Sequence, residues 1–211
     1  MPNLLLTGFT PFDGRNVNGS WIAASSYEAA EHLEIPVVWG KPMSCLEAAI
    51  KLQQPEIIIS LGEGREGWFD IETLARNERK HRTDTLDQHP AGEILTNGPA
   101  SMHATINASA LHTRLFDQQI PIRISNDAGQ YLCEETLYCL ENLKVASDHL
   151  QTVVFVHLPP FGTELTYRGE VRKADPDLLE DFVRRLVTAV LELDGQLNLF
   201  DIASHQTENR G

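Results

Sequence analysis

Short runs of β-branched and leucine residues alternate along this chain with longer stretches whose apolar residues return every three or four positions. That alternation leaves few folds open. The short runs are Asn3 to Thr7 (NLLLT), Pro36 to Trp39 (PVVW), Glu56 to Leu61 (EIIISL), Ile120 to Ser125 (IPIRIS) and Thr152 to His157 (TVVFVH). They read as strands buried on both faces. The helical stretches between and after them are Trp21 to Leu33, Leu46 to Gln53, Ala104 to Phe116, Glu134 to Leu143 and Asp177 to Leu193. Helices that separate buried strands must cover the sheet they connect, so the expectation is an α/β fold: three layers, α/β/α, with a mostly parallel (mixed) central sheet. The chain's 211 residues, 42% of them hydrophobic, suffice for one such core. No repeat, low-complexity run or linker divides it, so residues 1–211 are expected to form a single domain. The polar stretch from Glu63 to Pro99 is the exception. It reads as functional loops and a short hairpin folded over the end of the sheet, and the residues after Ile202 read as a frayed tail.

Thirty acidic against seventeen basic residues give a formal net charge of -13, so the basic footprint that binds phosphate is missing. Nucleic acid and membrane surfaces are therefore not expected as partners. The three cysteines, Cys45, Cys133 and Cys139, show no metal-type spacing and cannot all pair. A reducing, cytoplasmic setting follows, as does a soluble protein without a membrane span or an export signal.

Candidate chemistry gathers at a few positions. Cys133 lies in SNDAGQYLCEETLYCLENLK, close to the N-terminus of a predicted helix, where unpaired backbone N–H groups and the helix dipole favour a thiolate and offer donors to an oxyanion. His157 ends the strand TVVFVH at the carboxyl edge of the sheet. If the strands leading to Cys133 and His157 are neighbours, thiol and imidazole come within hydrogen-bond reach. A carboxylate behind the imidazole would complete the set. Glu72, Asp70 and Glu78 are all candidates on sequence alone. The N-terminal TGFTPFDGRNVNGSW places Phe9 and Phe12 beside a turn that needs neither ring, so both read as ligand-facing. Asn18 or Ser20 caps the helix that starts near Trp21. Taken singly, each residue has a plainer reading as a small core side chain, a structural histidine, a solvated charge or a packed aromatic.

Together these segments resemble the type I pyroglutamyl peptidases, also called pyrrolidone-carboxylate peptidases, a family of cytosolic cysteine exopeptidases. TGFTPFDGRNVNGSW is similar to the family's TGF-x-PFGG…VNPSW, SNDAGQYLC to SNTAGTFVC around the nucleophile, and VHLP to IHVP around the catalytic histidine. The separation of 24 positions between Cys133 and His157 agrees as well. IETLARNERKHR aligns with VERVAIN-x-x-x-x-R, which places Glu72 on the family's catalytic glutamate and Arg82 on an arginine near the reacting carbonyl.

The resemblance implies removal of an N-terminal 5-oxoproline from peptides with a blocked N-terminus. Cys133 would be the nucleophile, His157 the general base and then acid, and Glu72 its orienting carboxylate, with a thioester intermediate. Arg82 and the Cys133 N–H would steady the oxyanion, and Phe9, Phe12 and Asn18 would bind substrate. It implies no metal or organic cofactor, and family members often form dimers or tetramers. Arg79, Lys80, Asp127 and Glu134 depart from the family pattern, and GEGREG stands where the family has its GQAGGR loop. Asp127 and Glu134 are expected to set negative charge beside the thiol that must ionise. Two other readings keep the scaffold: hydrolysis of another small or cyclic amide, and non-catalytic ligand binding.

Overall fold

The computed structural model describes residues 2–80 and 82–208. In chain order the elements are β1 (Leu4–Phe9), α1 (Gly19–Ser25), β2 (Glu31–Ile35), α2 (Lys41–Gln53), β3 (Ile57–Glu63), β4 (Phe69–Glu72), β5 (Leu74–Arg76), β6 (Ser101–His103), α3 (Ala108–Phe116), β7 (Ile122–Ser125), α4 (Leu132–Val145), β8 (Thr152–Leu158), β9 (Glu164–Tyr167), β10 (Glu170–Lys173) and α5 (Pro176–Glu208). Six strands form one sheet in the order β2-β1-β3-β8-β4-β7. Neighbours pair in parallel except β4 with β8, where Asp70 stands opposite His157.

Period-two alternation divides each strand between two helical layers. Leu4, Leu6, Ile57, Ile59, Val154, Val156, Phe69 and Ile71 face α1, α3 and α5. Leu5, Phe9, Ile58, Val153 and Phe155 face α2 and α4. The three-layer α/β/α expectation therefore stands. Local chemistry sets the helix starts. Asn18 accepts from the Ser20 N–H to cap α1, Pro42 opens α2 after Gly40, and Asp175 accepts from the Leu178 N–H at the head of α5 with Pro176 behind it.

Four expectations change. The strand is Glu31–Ile35 rather than PVVW, and α1 ends at Ser25 instead of running to Leu33. β2 is an edge strand, which tolerates the polar EHLEI pattern. Val37 and Trp39 are apolar for another reason: Trp39 packs edge-on against Tyr131 at 5.1 Å, and Val37 lines the cavity described below. The stretch from Glu63 to Pro99 does contain β5, which pairs with β6, but it also supplies β4, a buried strand inside the main sheet. Finally, α5 continues to Glu208, so residues 203–208 are helical where a frayed tail was expected, and the rest of that tail lies outside the described residues. The β9–β10 hairpin, turned by Arg168 and Gly169 at φ 52° and 83°, has no counterpart in the sequence reading.

Candidate active site

β1, β3, β4 and β8 each bring one residue to the α4 side of the sheet near one end: Phe9, Gly62, Glu72 and His157. The strand preceding Cys133 is not a neighbour of the strand carrying His157, contrary to the condition set by the sequence. β4 lies between them and runs against β8, so β7 points the opposite way. The chain after Ser125 instead turns back across the sheet face. Gly129 and Gln130 adopt φ 87° and 54°, which a glycine accepts freely, and Tyr131 then starts α4 with Cys133 in its first turn.

The His157 Nδ1–H donates to Glu72 Oε1 at 2.8 Å, and both side chains are almost wholly buried. That bond fixes the tautomer and leaves Nε2 as the nitrogen available to the thiol. Burial pulls the imidazole down, but the charge and hydrogen bond of Cys133, followed by the hydrogen bond and charge of Glu72, push it up to about 10. The proton is thus held on His157 across the neutral range. Gly62 makes the approach possible. A Cβ there would stand 2.8 Å from Cys133 Sγ and 3.3 Å from His157 Cδ2. Gly64 does the same for the ring, since its Cβ would meet His157 Cβ at 2.7 Å.

A cavity of about 200 Å³ opens over this trio, and Glu72, Cys133, His157, Arg82, Phe9, Phe12 and Asn18 all line it. Their states differ. Phe9 is 3% exposed and belongs to the core as much as to the cavity, whereas Phe12 is half-buried at the rim. Asn18 is chiefly structural: Oδ1 accepts from the Ser20 N–H and hydroxyl, and Nδ2 donates to the Thr10 carbonyl, leaving one N–H for a ligand. Arg82 places its guanidinium over the rings of Tyr131 (4.2 Å) and Phe12 (5.9 Å) and pairs with Asp13 at 3.0 Å.

The expected clash of acidic residues with the thiol does not arise at Glu134. Its fully buried carboxylate accepts from the Arg76 and Gln130 N–H groups, both at 2.7 Å, and pairs with the Arg76 guanidinium. Burial raises its carboxyl, against those hydrogen bonds and the Arg76 charge. Glu134 therefore fastens the turn before α4 to β5. Asp127 is exposed and lies 3.7 Å from Arg65. Arg79 turns to Glu135 and the Glu93 and Ile94 carbonyls, and neither it nor Lys80 lines the cavity.

Of the carboxylates that the sequence leaves open behind the imidazole, Asp70 is held by both Nε and Nη2 of Arg123 at 2.8 and 3.0 Å, so Glu72 takes that place. Glu63 and its flanking glycines escaped the sequence reading. Glu63 receives the Gly19 and Phe161 N–H groups and pairs with Arg15, tying α1 to the end of β3. The glycine–glutamate–glycine run Gly62-Glu63-Gly64 was the available signal, because two glycines at a strand end mark a close approach. Among the described residues no group of three or more His, Cys, Asp or Glu could hold a metal ion, and no helix is long and apolar enough to cross a membrane.

Comparison with known proteins gives a consistent set. The model of the family described as pyroglutamyl peptidase matches residues 2–192. A pyrrolidone-carboxylate peptidase of Gloeobacter violaceus is 34% identical across 74% of this chain and 80% of its own. One from Streptomyces coelicolor is 29% identical across 94% and 96%. Among solved structures, a mutant pyrrolidone carboxyl peptidase from Pyrococcus furiosus matches with a TM-score of 0.76 at 25% identity, covering 90% of this chain and 98% of that one. Pyroglutamyl peptidase I from Bacillus amyloliquefaciens gives 0.75 at 25%, covering 92% and 95%.

Proposed function

Since the chain belongs to the pyroglutamyl peptidase family, a family of cysteine omega-peptidases that remove N-terminal pyroglutamate from peptides, we propose that Cys133, His157 and Glu72 carry out that reaction here. The observation that carries the assignment is the 2.8 Å bond from His157 Nδ1 to the buried Glu72 carboxylate, with the Cys133 sulfur and the same imidazole both packed over Gly62.

The Cys133 thiolate attacks the pyroglutamyl carbonyl carbon, and the electron pair moves to the carbonyl oxygen. That oxyanion meets the Cys133 N–H at the head of α4, whose first N–H groups have no partner within the helix, and Arg82 adds positive charge from the rim. The His157 imidazolium gives its proton to the leaving nitrogen as the C–N bond breaks, which forms a thioester and frees the shortened peptide. The imidazole, now neutral, takes a proton from water. The resulting hydroxide attacks the thioester, and the thiolate leaves as pyroglutamate is released. Glu72 holds the ring and stabilises its charged form throughout. An uncharged lactam suits the end of the cavity walled by Phe9 and Phe12, where a free ammonium would face a desolvation cost. Asn18 offers its remaining N–H. The same reading takes residues 1–211 as one domain acting in the cytoplasm without a cofactor.

The test is hydrolysis of pyroglutamyl aminomethylcoumarin by wild type and Cys133→Ala proteins of equal melting temperature. Turnover in the first and none in the second is expected. Equal rates would remove Cys133 from the mechanism, and no rate in either across the accessible pH range would overturn the proposal.

A further inference from the structure

The cavity has two unlike ends. Phe9 and Phe12 wall one, and Arg65, Asp70 and Asp127 wall the other. Those three charged residues also belong to a second groove of about 420 Å³, which continues over Thr73, Ser125 and Asn126. The two charge pairs at this boundary are in different states. Asp70 is buried and both of its oxygens are taken by Arg123, whose guanidinium also lies 4.8 Å over the Trp68 ring. That pair has little left to offer. Arg65 and Asp127 are each more than half exposed and stand 3.7 Å apart, beyond hydrogen-bond distance. Asp127 Oδ1 accepts from the Gly129 N–H at 3.2 Å, and Oδ2 faces the guanidinium without a direct bond. A free donor and a free acceptor thus sit side by side where the cavity passes into the groove.

We propose that this groove receives the leaving-group side of the substrate, and that Arg65 and Asp127 bind the main chain of the peptide beyond the scissile bond. The inference rests on the reading of Cys133 as the nucleophile for pyroglutamyl peptides. With the lactam at the aromatic end and the sulfur beneath the carbonyl, the departing chain leaves toward the charged end. Each peptide unit carries one acceptor and one donor. The guanidinium bonds a carbonyl oxygen, and the carboxylate accepts the neighbouring N–H. The pair is neutral as a unit and Asp70 already neutralises Arg123, so the groove selects for backbone and leaves side-chain charge largely unread.

The experiment compares kcat/KM for pyroglutamyl aminomethylcoumarin, which has no peptide beyond the scissile bond, with that for amidated pyroglutamyl-Ala-Ala, pyroglutamyl-Glu-Ala and pyroglutamyl-Lys-Ala. Each is measured with wild type, Arg65→Ala and Asp127→Ala proteins of matched melting temperature. Wild type should favour the three peptides over the coumarin amide by about tenfold and treat them alike within about threefold, as charge-assisted hydrogen bonds would give. Both variants should lose that preference, with a larger fall on peptides than on the coumarin amide. Equal falls on all four substrates, no preference for peptides in wild type, or an order set by Glu against Lys would each overturn the proposal. If no pyroglutamyl substrate is cleaved, the underlying reading fails and this one with it. Cleavage of the coumarin amide without a peptide preference refutes the groove alone.

Discussion

Replacing Gly62 by alanine tests whether the position of Cys133, the proposed nucleophile, depends on an absent side chain. The added Cβ would lie 2.8 Å from Cys133 Sγ, 3.0 Å from Phe155 Cζ and 3.3 Å from His157 Cδ2. Ordinary heavy-atom contacts begin near ~3.5–4.0 Å, so the sulfur has to retreat by about 1 Å or the strand has to move. Gly62 pairs in register with His157 on β8, and β3 is held on both sides, so the strand resists. The sulfur is the softer partner, since it stands on the first turn of α4. A displacement of about 1 Å costs a reacting group on the order of a hundredfold, or about 2.7 kcal/mol of barrier. Overpacking adds about 1–3 kcal/mol of destabilisation. Gly62 does not use the left-handed region, so the backbone itself accepts alanine. Initial rates on pyroglutamyl aminomethylcoumarin should show kcat falling about a hundredfold with KM little changed. Slower alkylation of Cys133 by iodoacetamide and a modestly lower melting temperature should accompany it. A folded Gly62→Ala protein within threefold of wild type would refute the idea that this glycine sets the sulfur's place.

Glu72→Gln removes one of the charges that hold the His157 proton. In the folded protein that proton is kept up to about 10 against an ordinary value of 6.5, so the associated stability is complete below 6.5 and lost as pH rises through about 10. The variant should move both this loss and the alkaline limb of kcat/KM to lower pH, and an unmoved limb would exclude Glu72 as the partner that matters. Glu134→Gln leaves one of two backbone N–H groups, of Arg76 or Gln130, facing an amide donor. A stability loss of about 1–3 kcal/mol, read by urea titration, and a fall in kcat are expected; unchanged stability would show that the clamp is dispensable. Asn18→Ala removes the α1 cap and the tie to the Thr10 carbonyl, which steadies the loop bearing Phe12. It should cost about 1–2 kcal/mol and raise KM more than it lowers kcat, and a normal KM would separate the cap from substrate binding.

How much of this was legible in the sequence depended on whether a residue's role was local. β1, β3 and β8 announced themselves because strands covered on both faces are apolar runs, and α5 because its buried stripe repeats. β4 did not. FDIE alternates apolar with acidic, and its acids are neutralised by Arg123 and His157, residues 53 and 85 positions away that no local pattern connects. The catalytic set Cys133, His157 and Glu72 was proposed from motif resemblance, whereas the route by which Cys133 reaches the ring was misjudged because it depends on strand order. Glu134 was misread for the same reason: adjacency in sequence to Cys133 said nothing of Arg76 and Gln130, which the fold brings to its carboxylate. PVVW reads as a strand because it is apolar and β-branched, and residues buried in a roof over a cavity carry the same apolar character as residues buried in a sheet.

The placement of β4 also bears on when the chain becomes active. Its carboxylate and the imidazole it holds are 85 residues apart, and Cys133 arrives on a helix between them in sequence. Contacts of such long span form late, because closing the intervening loops must precede any gain from the contact. Until β4 is seated between β8 and β7, the histidine has no carboxylate behind it. A chain in which β4 is not yet seated is therefore expected to be hydrolytically silent, with turnover during refolding returning no earlier than this strand enters the sheet.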